Sequence, residues 1–254
     1  MSSVELTIAG PRADIRLNRP DVLNAMDFEV FDGLAAAAAS ISAEADKVRV
    51  VVVLGEGRAF CSGIDVTALG PIGEGLEPTI RRAQAGFRAI AALPMPTLAA
   101  VHRYAFGAGL QLALACDLRI LAHGTQVGLL EANYGLIPDL IGSTRLPQLV
   151  GPARAKRMIW LAEKIGADEA ERIGLAEWVV PDDELESAAA ELAGRLAEAP
   201  FTPVREAKRL IDASSALSVE QGMDAEMAAQ IACMTAGDFG ENLSKGLQRL
   251  GKGH

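Results

Sequence analysis

Residues 4–10 (VELTIAG) and 13–18 (ADIRLN) alternate apolar and polar positions. That period predicts two strands, and Gly10-Pro11 between them predicts a hairpin turn. A loop follows at residues 19–26 (RPDVLNAM). Asp27 suits a helix N-cap, and Phe28, Phe31, Leu34, Ala35, Ala38 and Ile41 recur at helical spacing. Residues 48–54 (VRVVVVL) are β-branched and apolar almost throughout, as in a strand covered on both faces. The Gly/Pro stretch 70–75 predicts a loop, and Ile80, Phe87 and Ile90 predict a helix after it. Residues 96–102 (PTLAAVH) read as a strand. Residues 107–116 (GAGLQLALAC) read as a short helix behind a glycine turn, and 117–122 (DLRILA) as a strand again.

Beyond Gly151 the pattern changes. Pro152, Asp182 and Thr202-Pro203 are helix-start signals, and Leu185, Ala189, Leu192 and Leu196 recur at intervals of four, three and four. The pattern is α/β, with a division into residues 1–151, a core carrying the site, and 152–254, a helical region for oligomerisation and pocket closure. Leu185/Leu192/Leu196 and Ile231/Met234 form apolar stripes that a second subunit is expected to cover.

The chain has 254 residues, half of them hydrophobic, enough for a large core. Its net charge of −9 argues against nucleic acid as a partner, because phosphate backbones demand clustered Lys and Arg. Cys61, Cys116 and Cys233 form neither a paired framework nor a CxxC motif, so a reducing, cytoplasmic setting is expected. Neither a signal peptide nor a membrane span is expected. No His/Cys/Asp cluster has metal-ligand spacing, so no metal is expected.

Two glycine turns carry the candidate chemistry. Residues 58–65 (RAFCSGID) leave one predicted strand, and 104–111 (YAFGAGLQ) leave another. Backbone N–H groups exposed in two such turns can hold one carbonyl oxygen and stabilise charge that develops on it. Tight packing alone also produces such turns. Neither matches GxGxxG or a phosphate-binding loop ending in GK[ST].

Taken in order, RPDVLNAM, VRVVVVLGEGRAFCSGID, YAFGAGLQLALACDLRILA, EANYGLIPD, RLPQLVG and ADEAERIGLAEWVV resemble the enoyl-CoA hydratase/isomerase (crotonase) family, over roughly residues 4–250. The resemblance implies a spiral of ββα units with two roughly perpendicular sheets, and homotrimers or dimers of trimers. It implies an acyl-CoA thioester as partner, with coenzyme A as part of the substrate and no further cofactor. The oxyanion donors it implies are the N–H groups of Ile64 and Ala108. Small residues at Ser62, Gly63, Gly107 and Gly109 would let the ligand reach that backbone.

The acid/base positions depart from the hydratase pattern. Of the two glutamates of the family's hydratases, the first corresponds to Gln111 and the second to Glu131. Asp139, eight residues after Glu131, matches a carboxylate of dienoyl-CoA isomerases. It also suits the cap of a helix starting near Ile141. Gln111 either orients a ligand or bonds nearby backbone. Double-bond isomerisation by Glu131 is therefore favoured. Hydration by a depleted pair and a binding protein without turnover remain alternatives. Arg19 and Lys252 are expected to meet the phosphates of CoA. Leu23, Ala25 and Asp65 are expected near the ligand, and the loop 70–75 beside its acyl group. His102 and Arg103 replace a commoner Asn-Gly before the second turn, with His102 expected as a packed loop residue. Asp117 and Cys61 are expected to be structural.

Overall fold

The computed structural model describes residues 2–65, 67 and 75–251. Residues 70–74 of the expected acyl-pocket loop and Lys252 lie outside the described residues. Two compact units divide the chain, Met1–Ala197 and Glu198–His254.

In the first unit, β1 (Val4–Ala9) and β2 (Arg12–Leu17) pair antiparallel with Val4 opposite Leu17. Gly10 turns the hairpin at φ +59°. Parallel strands β3 (Val50–Gly55), β4 (Thr97–Val101), β6 (Leu118–Ala122) and β9 (Trp178–Val180) extend the sheet in the order β1-β2-β3-β4-β6-β9. A second, three-stranded sheet holds β5 (Tyr104–Phe106), β7 (Gln126–Gly128) and β8 (Ile165–Gly166).

Strand β3 is buried at every position, as its unbroken apolar run requires. Its alternate side chains enter two different cores. Val51 and Val53 face the larger one, with Phe31 and Leu34 of α1 (Phe28–Ala43) and Phe87 and Ile90 of α2 (Leu76–Ala91). Asp27 caps α1, accepting the Val30 N–H at 3.0 Å. The two helices pack closely at Gly86, where a Cβ would lie 2.8 Å from Leu34 Cβ. Ile80, expected on the buried face of α2, is exposed. The apolar stripe of that helix begins only at its C-terminal half.

Val50, Val52 and Leu54 face the other way, into a second core with Leu98, Ala100, Ile120 and Ala122. Leu185 and Ala189 of α7 (Leu185–Glu198) complete it, and Leu192 and Leu196 pack against it. The Leu185 stripe is therefore covered within the chain rather than left for another subunit. A parallel sheet needs a cover on both faces, and α7 supplies the second. Each buried Leu contributes about 1.5–3 kcal/mol to that packing.

Between these elements lie α3 (Ala108–Ala115), α4 (Gly142–Val150), α5 (Pro152–Trp160) and α6 (Ala167–Arg172). The expected change at residue 152 falls inside the first unit, because β8 and β9 rejoin the two sheets beyond it. The second unit is helical: α8 (Phe201–Ala213), α9 (Val219–Thr235) and α10 (Phe239–Gly251). A capping box of Ser218 and Gln221 opens α9. Ile231 and Met234 on that helix are exposed, as the sequence pattern predicted. Among the described residues no helix is long and apolar enough to cross a membrane.

Candidate active site

The two glycine turns lie side by side. Residues 60 and 61 run parallel to β5: Phe60 N–H donates to His102 O (3.0 Å), Cys61 N–H to Tyr104 O (2.9 Å) and Phe106 N–H to Cys61 O (3.1 Å). On its other edge the first turn is tied to residues 23–26. Ser62 N–H donates to Leu23 O (2.9 Å), Met26 N–H to Gly63 O (2.8 Å) and Asp65 N–H to Met26 O (2.8 Å). In a parallel ladder this pairing leaves Ile64 as the residue whose own N–H faces away from Met26. Ala108 is the first residue of α3, where an N–H has no intrahelical acceptor and the helix dipole adds positive potential. Among the described residues neither N–H meets an acceptor.

Glycine is required where these turns touch. Gly63 has φ +120° and Gly107 φ +51°. A Cβ on Gly109 would lie 2.5 Å from Cys61 O, and one on Gly107 would lie 3.9 Å from Gly63 Cα and 3.3 Å from Glu131 Oε1. The last contact puts the Glu131 carboxylate over the second turn.

Glu131 opens a 3-10 turn, Glu131–Tyr134, and is 8 % exposed. Gln111, on α3 and equally interior, donates from Nε2 to Glu131 Oε1 at 2.7 Å. Its own Oε1 accepts the Gly142 N–H at 3.0 Å, at the start of α4. Glu131 Oε2 is buried with no hydrogen-bond partner among the described residues. Burial raises the Glu131 pKa and the charge of Asp139 adds to the rise, against the bonds from its own backbone and from Gln111.

Asp139 is half-buried, and burial raises its pKa as well. It does not cap α4: Ile141 stands at the N-cap without a side-chain bond, so that sequence alternative falls. The residue instead lines a cleft of about 340 Å³ with Gln84, Phe87, Ile137, Leu140 and Ile141 among its walls. Gln84 Nε2 donates to the Asp139 carbonyl at 2.8 Å. Gln111 and Glu131 are in contact, and Asp139 is near enough for its charge to act on Glu131.

The structure also gives surroundings to the other positions that the sequence singles out. The Arg19 guanidinium is engaged within the chain. It meets Asp27 (3.1 Å) and Asp65 (3.3 Å) and donates to the Ala25 carbonyl. Asp65 in turn accepts from the Thr67 hydroxyl, the main cause of its lowered pKa, with Arg19 contributing. Arg19 and Asp65 brace the first turn against the N-terminus of α1. Leu23 and Ala25 are half-buried in the same loop, where Asn24 is locked by bonds from its Nδ2 to Glu56 O and Ala59 O. His102 is a packed loop residue, its Nε2 2.9 Å from Gly57 O. Arg103 is exposed, with φ +59° and its guanidinium over the Tyr104 ring. Asp117 accepts from the Thr97 N–H and hydroxyl, a structural link between β4 and β6. Burial pushes the Cys61 thiol up to about 12, which leaves it inert. Among the described residues no group of three His, Cys, Asp or Glu side chains is arranged to hold a metal ion.

Gln84 and Gly142 had no mark in the sequence. Gln84 is a polar residue inside a helical stretch and belongs to no motif. Gly142 lacks the strand-turn context that picked out Gly63 and Gly107.

A family model described as enoyl-CoA hydratase/isomerase matches residues 10–250. A Rhodobacter capsulatus protein named "probable enoyl-CoA hydratase" is 36% identical over 250 residues, covering 97% of this chain and 95% of its own. The crotonyl-CoA hydratase of Syntrophomonas wolfei is 31% identical over 243 residues, covering 93% and 92%. A Thermobifida fusca protein solved in complex with acetoacetyl-CoA superposes with a TM-score of 0.84 at 35% identity, covering 91% of this chain and 94% of its own.

Proposed function

The chain belongs to the enoyl-CoA hydratase/isomerase family and acts on CoA thioesters, and from that premise we propose that it shifts the double bond of an enoyl-CoA with Glu131 as its acid/base. The thioester oxygen sits between the N–H groups of Ile64 and Ala108. Glu131 Oε2 removes a proton from C2 of a 3-enoyl thioester. The C–H electron pair forms the C1–C2 π bond, and the carbonyl pair moves onto the oxygen. The same Oε2 returns the proton to C4, C2 and C3 become doubly bonded, and the carbonyl re-forms. Nothing is consumed, and CoA enters only as part of the substrate. Two fixed donors aimed at the developing charge are worth about 10²–10³-fold in rate each.

The observation that carries this reading is the pair of unequal oxygens on Glu131, one bonded to Gln111 and the other buried without a partner among the described residues. Burial raises the Glu131 pKa, which makes the carboxylate a stronger base toward the substrate proton. Gln111 cannot ionise, and both ends of its amide are engaged, so a hydratase pair is incomplete. The names of the two curated relatives favour hydration of 2-enoyl-CoA as the second reading. The charge of Asp139, which acts on Glu131, favours a dienoyl substrate within the first. Incubation with 3-enoyl-, 2-enoyl- and dienoyl-CoA, with products identified by mass and NMR, separates these. Isomerised 3-enoyl-CoA with slow hydration is the expected result, and fast hydration of crotonyl-CoA refutes it. The exposed Ile231 and Met234 of α9 support assembly as a homotrimer or a dimer of trimers.

A further inference from the structure

We propose that Gln111 is a positioning residue that dedicates Oε2 of Glu131 to proton transfer, and that the first N–H of α4 sets its orientation. The proposal rests on Glu131 being the acid/base. A primary amide has two unlike ends, an oxygen that accepts and an NH₂ that donates. The Gly142 N–H can only donate, so the atom 3.0 Å from it is the Gln111 oxygen. The NH₂ is then forced toward Glu131, where it donates to Oε1 at 2.7 Å. An oxygen facing a fixed donor cannot carry the proton along that line. The neutral acid therefore holds its proton on Oε2, the oxygen with no partner among the described residues.

The anchor is itself held. Ser143 donates to Pro138 O from both its N–H and its hydroxyl (3.0 Å each), and Gln84 donates to Asp139 O. Between them Ile141 adopts φ +81°, a left-handed backbone that a β-branched residue keeps only when its surroundings over-determine it. A Cβ at residue 142 would lie 2.8 Å from Gln111 Oε1 and 2.9 Å from Pro138 Cβ. Glycine is what lets the amide come down on the helix terminus. Asp139, from this same turn, is the charged group that acts on Glu131.

The test combines Gln111→Met, which keeps the length and loses the donor, with Gly142→Ala, which pushes the amide aside unchanged. Glu131 is titrated by ¹³C NMR on protein labelled at glutamate, its signal assigned by loss in Glu131→Gln. The pH dependence of kcat/KM is measured on 3-enoyl-CoA. In Gln111→Met the Glu131 midpoint and the acid limb of kcat/KM should both move to higher pH. Turnover at neutral pH should fall roughly ten- to a hundredfold, the loss of a hydrogen bond to a charged group. Gly142→Ala should move both in the same direction by less. An unmoved midpoint in folded Gln111→Met overturns the proposal even if activity falls, because the loss would then be structural. If Gln111→Met does not fold, an unmoved midpoint in Gly142→Ala overturns it. Wild-type protein without acyl-CoA turnover overturns the acid/base reading beneath it, and is told apart by a Glu131 midpoint that still moves.

Discussion

Gly109→Ala tests whether the two turns act as one site. The added Cβ would stand 2.5 Å from Cys61 O, 2.8 Å from Cys61 Cβ and 3.1 Å from the Cys61 carbonyl carbon. Ordinary contact begins at 3.4 Å, so the turns must separate by about 0.9 Å. Two of those atoms are backbone, and no side-chain rotation relieves the clash. The movement stretches the Phe106 N–H to Cys61 O bond, now 3.1 Å, and carries the Ala108 N–H away from the Ile64 N–H. Overpacking of this kind costs about 1–3 kcal/mol. For a chain of this size that lowers Tm by roughly 2–12 °C, which leaves a folded enzyme. A misplacement near 1 Å costs about 10²-fold in rate. We expect kcat/KM for acyl-CoA turnover to fall about a hundredfold while circular dichroism stays native. Gly166→Ala is the control: among the described residues a Cβ there meets nothing within 4 Å, and turnover should stay within about twofold. A folded Gly109→Ala protein with wild-type kcat/KM would refute the two-donor site.

Glu131→Gln should abolish most turnover yet raise stability. The folded pKa of Glu131 is raised, so wild-type stability is fullest below the ordinary glutamate value and falls as pH rises through the folded pKa. The variant lacks that fall, and its Tm advantage should grow with pH across the window; a constant or negative difference contradicts the assigned burial. Asp139→Asn removes a charge that raises the Glu131 pKa, so the acid limb of kcat/KM should move to lower pH. No movement would place Asp139 outside the site. Arg19→Ala strands Asp27 and Asp65 beside each other and should lower the melting temperature, with CoA affinity little changed. Intact stability with weakened CoA binding would restore Arg19 as a phosphate ligand.

The hairpin, the Asp27 cap and β3 were legible because each is a local signal: alternation, a capping side chain, an unbroken β-branched run. Strands β8 and β9 were not, since two and three residues cannot display a period. The Leu185 stripe was seen, but its partner was misjudged, because periodicity shows that a face is apolar and not what covers it. The ion pairs of Arg19 were hidden for a related reason. Its two acids lie 8 and 46 residues away, and only the fold brings them together. Glu131, Gln111 and the glycine turns could be named from ordered motifs. The bonds that orient them run through Gln84 and the Gly142 N–H, which carry no pattern a linear reading can find.

The ladder between Met26 and Ile64 has a consequence for how such a site changes over generations. Both groups proposed to hold the thioester oxygen belong to the main chain, and every residue but proline supplies such an N–H. Point mutation at residues 64 and 108 therefore edits the shape around the oxygen without deleting the donors. Vulnerability is shifted onto the glycines, where the contacts at Gly109 leave no room for a methyl group. The chemistry is buffered against drift while the walls of the pocket stay free to vary. A saturation library at Ile64 should accordingly yield altered acyl preference more often than inactive protein.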